Sequence, residues 1–97
     1  MRVRFRPEAA ADLTEAYRWY ERQRRGLGRE FETAVEQTLA VLKQAPAAFP
    51  ILHRELRRVL LERFPYAIYY RLTHDEIEVR ACLHTRRHPS RWRRRIP

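Results

Sequence analysis

Apolar residues recur at helical spacing through the first half of the chain. After Pro7, which suits the first turn of a helix, apolar positions follow at intervals of three and four residues. A second run with the same spacing begins beyond Gly26 and Gly28, where a left-handed cap and a turn are possible. We therefore predict an antiparallel helical hairpin over about residues 7–45. The two apolar faces consist of Ala9, Leu13, Ala16, Tyr17 and Tyr20, and of Phe31, Val35, Leu39 and Leu42.

The periodicity changes to two on both sides of this hairpin. Val3 and Phe5 alternate with arginines, which predicts a short strand at about residues 2–6. Alternation resumes over about residues 56–85, where a Phe-Pro pair and a polar turn separate three further strands. The segment from Ala45 to His53 is expected to be an ordered loop. The predicted fold class is α+β, in the order β-α-α-β-β-β, with the helical hairpin packed on one face of a mainly antiparallel sheet.

The polar turn at His74-Asp75 sets the register expected for the last two strands. It places Leu72 opposite Ile77, Tyr70 opposite Val79, Arg71 opposite Glu78, and Tyr69 opposite Arg80. One face of the sheet is then apolar and receives the hairpin, and the other is polar, aromatic and open. The apolar face would hold Tyr66, Ile68, Tyr70, Leu72, Ile77, Val79, Ala81 and Leu83. The open face would hold Ala67, Tyr69, Arg71, Glu78, Arg80, Cys82 and His84.

Composition narrows the class of protein. A chain of 97 residues with 44% apolar residues predicts a single domain over residues 1–97. The lone Cys82 excludes an internal disulfide, and no apolar run approaches the roughly 18 residues that a membrane span needs. The N-terminus lacks the pattern of a signal peptide. We therefore expect a cytoplasmic protein without a membrane partner.

Positive charge is concentrated towards the end of the chain. The net charge is +9, and Lys43 is the only lysine among 21 basic residues; the others are arginines, whose planar fork suits phosphate and carboxylate. A basic tail over residues 86–97 contains no acid. Such a surface attracts nucleic acid or an acidic protein, or is simply hydrated. The arginines expected near the open face or its edge are Arg57, Arg58, Arg63, Arg71, Arg80, Arg86 and Arg87.

Two histidines lie among the last of these arginines. Imidazole in general titrates near neutrality, so that His84 and His88 could act as acid and base on an RNA 2′-hydroxyl, with arginine stabilising the charge of the transition state. Alternatively, His84 closes a strand as a hydrogen-bonding residue and His88 belongs to the tail. The two are four residues apart, but Pro89 argues against a shared helix, and there is no Cys-x-x-Cys pair. Neither a metal nor a cofactor is predicted.

Several segments together resemble one family. They are RFRPEAAADLTEAYRWYERQRRGLGREF, RRVLLERFPYAIYYRL and LHTRRHPSRW, with Phe49-Pro50 between the first two. In this order they resemble the RelE/ParE superfamily of toxins from bacterial type II toxin–antitoxin systems, over nearly the whole chain. The resemblance implies a growth-inhibiting toxin and a cognate acidic antitoxin whose extended segment wraps it. It also implies one of two targets: DNA gyrase for ParE-like members, or the ribosome and its mRNA for RelE-like endoribonucleases.

The chain departs from the nuclease pattern at two positions. Glu62 falls near the place of an expected arginine, and Trp92 stands near the place of an expected tyrosine but has no acidic proton to donate. Arg86 or Arg87 matches the arginine after the last strand. These departures favour the ParE-like, non-catalytic branch. If the chain is a nuclease, the candidate catalytic residues are Arg58, Arg63, His84, Arg86, Arg87 and His88. The candidate residues for target or antitoxin binding are Arg58, Tyr69, Arg71, Arg80, His84, Arg86, Arg87 and Trp92.

Overall fold

The computed structural model describes residues 1–95 and confirms the predicted α+β class. One sheet of five strands has the order β1-β5-β4-β3-β2. Two long helices pack on one of its faces, and a short third helix covers part of the other. The elements are β1 (Arg2–Phe5), α1 (Pro7–Gln23), α2 (Leu27–Gln44), β2 (Ile51–His53), β3 (Leu56–Leu60), β4 (Tyr66–Leu72), β5 (Glu76–His84) and α3 (Ser90–Arg93).

The helical hairpin forms where the sequence predicts it, and its two glycines have different roles. Gly26 precedes α2 with a φ of 90°, a left-handed conformation that glycine adopts without steric cost. Gly28 lies inside α2, where an added Cβ would lie 2.9 Å from the Tyr17 backbone oxygen. The Glu21 carboxylate accepts hydrogen bonds from the N–H groups of both glycines. Gly26 therefore allows the turn, and Gly28 allows α1 and α2 to approach closely.

The sheet is mixed and contains a strand that the sequence prediction missed. β1 runs parallel to β5, whereas the other neighbouring strands are antiparallel. The segment predicted to be a loop from Ala45 to His53 ends in β2, which pairs with β3 at the sheet edge. At three residues, β2 is too short for alternation to reveal it. The Arg57 guanidinium donates to the carbonyl oxygens of Ala47 and Phe49, and so attaches the preceding loop to β3.

The register of β4 and β5 agrees with the prediction only near the turn. Leu72 pairs with Ile77, Arg71 with Glu78 and Tyr70 with Val79 as expected, but Tyr69 pairs with Ala81 and not with Arg80. Arg80 is therefore the extra residue of a β-bulge, and every later side chain of β5 changes face. The predicted faces are wrong beyond Val79: Cys82 packs on the helix side, whereas Ala81 and Leu83 pack on the opposite side.

The two faces of the sheet carry cores of different size. The helix-side core joins α1 and α2 to β3, β4 and β5 and includes an aromatic cluster of Tyr20, Phe31, Phe64 and Tyr66. The tail-side core is smaller, and the α3 side chain Trp92 completes it. The face expected to be open is therefore partly covered, because Trp92 supplies apolar area to it. The buried residues of the tail-side core are Leu56, Ala67, Tyr69, Ala81, Leu83 and Trp92.

Candidate functional site

Ring contacts of Trp92 and a charge cluster around Arg95 attach residues 90–95 to the sheet. The Trp92 ring stacks on the Tyr69 ring, with centroids 5.8 Å apart and an interplanar angle of 17°. The Arg95 guanidinium donates to both Asp12 carboxylate oxygens at 2.9 and 3.1 Å, in the bidentate geometry that makes such pairs strong. Arg80 in turn donates to the backbone oxygen of Arg95 at 2.7 Å. Residues 90–95 are thus an ordered part of the fold.

Asp12 connects three elements at this point. Besides Arg95, it accepts a hydrogen bond from the backbone N–H of Cys82 at 3.0 Å, next to the bulge in β5. The carboxylate therefore holds the interrupted strand, helix α1 and the residues after α3 together. Because Trp92 and Arg95 turn inwards, the neighbouring arginines of α3 turn outwards. The exposed arginines of this region are Arg86, Arg87, Arg91, Arg93 and Arg94.

A cleft between α1 and the end of β5 has aromatic walls and a basic rim. Its volume is about 530 Å³. Trp19, which is 47% exposed, contacts Tyr20 edge to face, and Tyr66 contacts His84 with ring centroids 5.4 Å apart. Burial raises the pKa of the Tyr66 phenol above its ordinary value. We call this the basic-aromatic cleft; its lining is Glu15, Trp19, Tyr20, Arg22, Pro65, Tyr66, His84, Arg86 and Arg87.

Both histidines near the cleft form local hydrogen bonds. The Nδ1 atom of His84 accepts from the backbone N–H of Arg86 at 3.1 Å, and Nδ1 of His88 accepts from the N–H of Ser90 at 3.2 Å. These bonds stabilise the turn after β5 and the start of α3. His84 thus lies at the end of β5 as a hydrogen-bonding residue, and His88 lies in the segment between β5 and α3.

The other candidate residues lie elsewhere. Arg63 donates to Glu30 at 2.9 Å, beside the beginning of α2. Arg58 lies in β3 on the tail-side face of the sheet, where it pairs with Tyr69 in the register. Arg71 lies 3.5 Å from Glu78. The structure thus brings His84, Arg86 and Arg87 together, but it does not bring Arg58 or Arg63 to them.

Tyr69, Arg80 and Trp92 occupy positions that differ from those expected. Tyr69 is only 1% exposed and Trp92 only 8%, because each ring covers the other. The Arg80 side chain is 12% exposed and bonds Glu78 at 2.7 Å. A binding partner would therefore contact the residues around these three before it contacts their side chains.

Glu78 is the centre of an ion-pair cluster that sequence reasoning missed. Its buried carboxylate lies 2.5 Å from an Arg4 nitrogen and 2.7 Å from an Arg80 nitrogen. Burial acts to raise the pKa of Glu78, but the hydrogen bond and charge of Arg80, with Arg71 and Arg4, outweigh it and lower the pKa. Alternating arginines in β1 and alternating acids at the start of β5 were the available signal. The arginines and the acids could be assigned to one cluster only with the knowledge that β1 and β5 are neighbouring strands.

A second groove lies between α1 and α2 and has a different character. Its volume is about 560 Å³, its walls are largely apolar, and Glu32 and Glu36 stand on its α2 side. None of the candidate site residues lies in it. Within residues 1–95, no group of three His, Cys, Asp or Glu side chains is placed to hold a metal ion. No helix in that range is long and apolar enough to cross a membrane.

Comparison with known proteins identifies a family and a similar solved structure. A family model described as "ParE toxin of type II toxin-antitoxin system, parDE" matches residues 3–89. A solved structure from P. aeruginosa, described as a chromosomal ParDE TA system, has a similar fold with a TM-score of 0.77. At 23% identity, the alignment covers 87% of this chain and 95% of the solved one. A search of curated protein sequences found no significant match.

Proposed function

Because this chain belongs to the ParE toxin family of type II toxin–antitoxin systems, we propose that it inhibits DNA gyrase by protein–protein contact and is neutralised by a cognate antitoxin. The proposal goes beyond family membership in naming the target, the kind of contact and the binding surface. The target-facing surface is the basic-aromatic cleft and its rim. The three candidate residues brought together in the structure, His84, Arg86 and Arg87, all line it.

One observation carries the choice of binding over catalysis. The residues that a nuclease would use are dispersed over three parts of the molecule, and both histidines are engaged in local turns. General acid–base catalysis needs its groups within hydrogen-bonding reach of one reacting site. A binding surface has no such requirement: Trp19 and Tyr66 offer amphipathic area, and arginines offer charge-assisted hydrogen bonds. These are the side chains that are enriched in energetically important interface positions.

The cleft also suits the proposed antitoxin. An acidic extended segment would find the Arg86 and Arg87 guanidinium groups on its rim and aromatic rings on its walls. Electrostatic attraction would speed the encounter, and ordering of the segment would follow binding. We therefore propose that antitoxin and target compete for the same surface, so that neutralisation is steric exclusion.

The test of the target is an assay with purified gyrase. The chain should inhibit ATP-dependent supercoiling, and the double variant Arg86→Ala/Arg87→Ala should inhibit at least about tenfold less well, as expected for a loss of about 1.4 kcal/mol in binding. The matched control is Arg24→Ala/Arg25→Ala, which removes the same charge from the exposed hairpin turn and should inhibit like the wild type. Intact gyrase activity together with mRNA cut in the ribosomal A site would instead establish the nuclease alternative.

The test of neutralisation uses the neighbouring reading frame. It should encode a short acidic protein, and co-expression of that protein should restore growth. When added to the purified toxin, it should relieve gyrase inhibition and protect the cleft side chains from chemical modification. Relief of inhibition while the cleft stays accessible would refute competition for one surface.

A further inference from the structure

The five exposed arginines after β5 form a surface that begins with Arg86 and Arg87 at the rim of the cleft and continues across α3. We propose that this surface binds the phosphates of duplex DNA, independently of base sequence. The inference extends the proposed function, since gyrase acts on DNA, but it is measured with DNA alone. We call it the arginine surface; it consists of Arg86, Arg87, Arg91, Arg93 and Arg94.

These arginines are contiguous in space. Arg86 and Arg87 lie together on the rim of the basic-aromatic cleft. Arg87 and Arg91 line a second, smaller cavity that opens beside it. Arg93 follows on α3, with its guanidinium 5.4 Å from the centre of the Trp92 ring, and Arg94 caps the helix. The arginine surface therefore runs from the end of β5 across α3.

The fold holds the arginine surface in position. Trp92 stacks on Tyr69, and the Asp12 carboxylate accepts a hydrogen bond from Arg95. A flexible basic tail would lose backbone entropy of about 1–2 kcal/mol per residue ordered on binding. Here the fold has already ordered the backbone, so that the arginines can contact an anion at a smaller entropic cost.

Among residues 1–95, the charges of the arginine surface are largely uncompensated. Residues 79–97 contain no acid. Arg4, Arg80 and Arg95 have carboxylate oxygens within 3 Å, whereas Arg87 has only the exposed Glu15, at 4.0 Å. Asp12, the other nearby acid on α1, is occupied by Arg95. The arginine surface thus attracts an external anion, whereas Arg4, Arg80 and Arg95 are already paired.

The composition of the arginine surface favours a polyphosphate over an acidic protein. Stable protein interfaces have an apolar or aromatic centre. On α3 the only apolar side chain is Trp92, and it is buried. The exposed side chains of this region are therefore guanidinium groups. Such groups match the phosphates of a nucleic-acid backbone, which supply the affinity in sequence-independent DNA binding.

The experiment measures binding of the purified chain to a fluorescent duplex of about 30 base pairs with arbitrary sequence, by anisotropy, between 50 and 200 mM salt. If all five arginines contact phosphates, the slope of log K against log salt should be about −4 to −5, at about −0.9 per contact. The variant Arg91→Gln/Arg93→Gln/Arg94→Gln should lower the magnitude of that slope by about 2 to 3 and weaken binding at 50 mM salt at least about tenfold. Glutamine keeps the helix propensity of α3.

The matched control is Arg24→Gln/Arg25→Gln/Arg29→Gln, which removes three exposed arginines from the turn between α1 and α2. It should keep the wild-type slope. An equal loss in both variants would overturn the inference, because net charge alone would then explain binding. Absence of binding to the duplex would also overturn it, and so would binding of single-stranded RNA at least about tenfold more tightly than the duplex.

This outcome is separable from that of the gyrase test. Gyrase inhibition without DNA binding would remove the arginine surface and retain the proposed function. DNA binding without gyrase inhibition would remove the proposed function and retain the arginine surface. Circular dichroism and thermal melting show whether each variant is folded. They are needed because unfolding would remove both DNA binding and gyrase inhibition.

Discussion

The two faces of the sheet are closed in different ways. Two long helices cover the helix-side face, and the fifteen buried residues of its core come from elements throughout the chain. The tail-side face has six buried residues, and Trp92 closes it from the last few residues. Removing one side chain from the first core damages the whole fold, whereas the second core can open locally. The helix side therefore determines whether the chain folds, and the tail side determines where its last arginines lie.

The largest effect is expected from a charge in the helix-side core. Leu61 is 7% exposed, and its neighbour Leu60 is 56% exposed. Leu61→Asp should cost at least about 4 kcal/mol, because it buries a carboxylate without a partner, and should leave the chain unfolded. Leu60→Asp should change stability by less than about 1 kcal/mol. Urea unfolding followed by circular dichroism measures both, and a native-like transition for Leu61→Asp would contradict the assignment of this face.

A smaller effect is expected when the tail-side core is opened. Trp92→Ala should cost about 2 kcal/mol, less than the 3–5 kcal/mol typical of an enclosed tryptophan, because the tail can detach while the helix-side core stays closed. Trypsin should then cleave after Arg91, Arg93 or Arg94 while the rest of the chain resists. The half-exposed Trp19 supplies the control, since Trp19→Ala should leave the tail protected. Global unfolding of the Trp92 variant would show that the two cores are not separable.

The smallest effect is expected from the ion-pair cluster at the other end of the tail-side face. The pKa of Glu78 in the folded chain is lower than the ordinary glutamate value of 4.5. Its contribution to stability is therefore present above about pH 4.5 and is lost as pH falls through the lower folded pKa. Glu78→Gln should flatten the decline of unfolding free energy between about pH 5 and 3. The exposed Glu36 gives the comparison, because Glu36→Gln should leave that decline unchanged.

Most elements of the fold could be predicted because they have a local signal, whereas β2 and α3 were missed. Pro7 and Gly26 mark the ends of helices, and the turn at His74-Asp75 fixes the pairing of Leu72 with Ile77. The bulge at Arg80 has no such signal. It is stabilised by Glu78 on the same strand and by the backbone of Arg95, fifteen residues later, so that only the tertiary structure shows why strict alternation fails.

The candidate site was predictable to the extent that its parts are neighbours in sequence. His84, Arg86 and Arg87 share a turn, and the structure keeps them together. Trp19 and Arg22 reach the same cleft from α1, more than sixty positions away. The position of Trp19 off the apolar stripe was the one hint of an exposed side chain. Covering of Tyr69 by Trp92 could not be predicted, because a lone tryptophan in a basic tail has no periodicity.

The bulge at Arg80 also turns the only cysteine into the helix-side core. Burial, with a smaller contribution from the charge of Asp12, raises the pKa of the Cys82 thiol to about 12. A thiol reagent therefore meets neither an accessible sulfur nor a thiolate until that core opens. The chain thus carries an intrinsic reporter: the rate of alkylation at one natural atom measures how often the helices leave the sheet. Storage in air should not alter it, since oxidation needs the same opening.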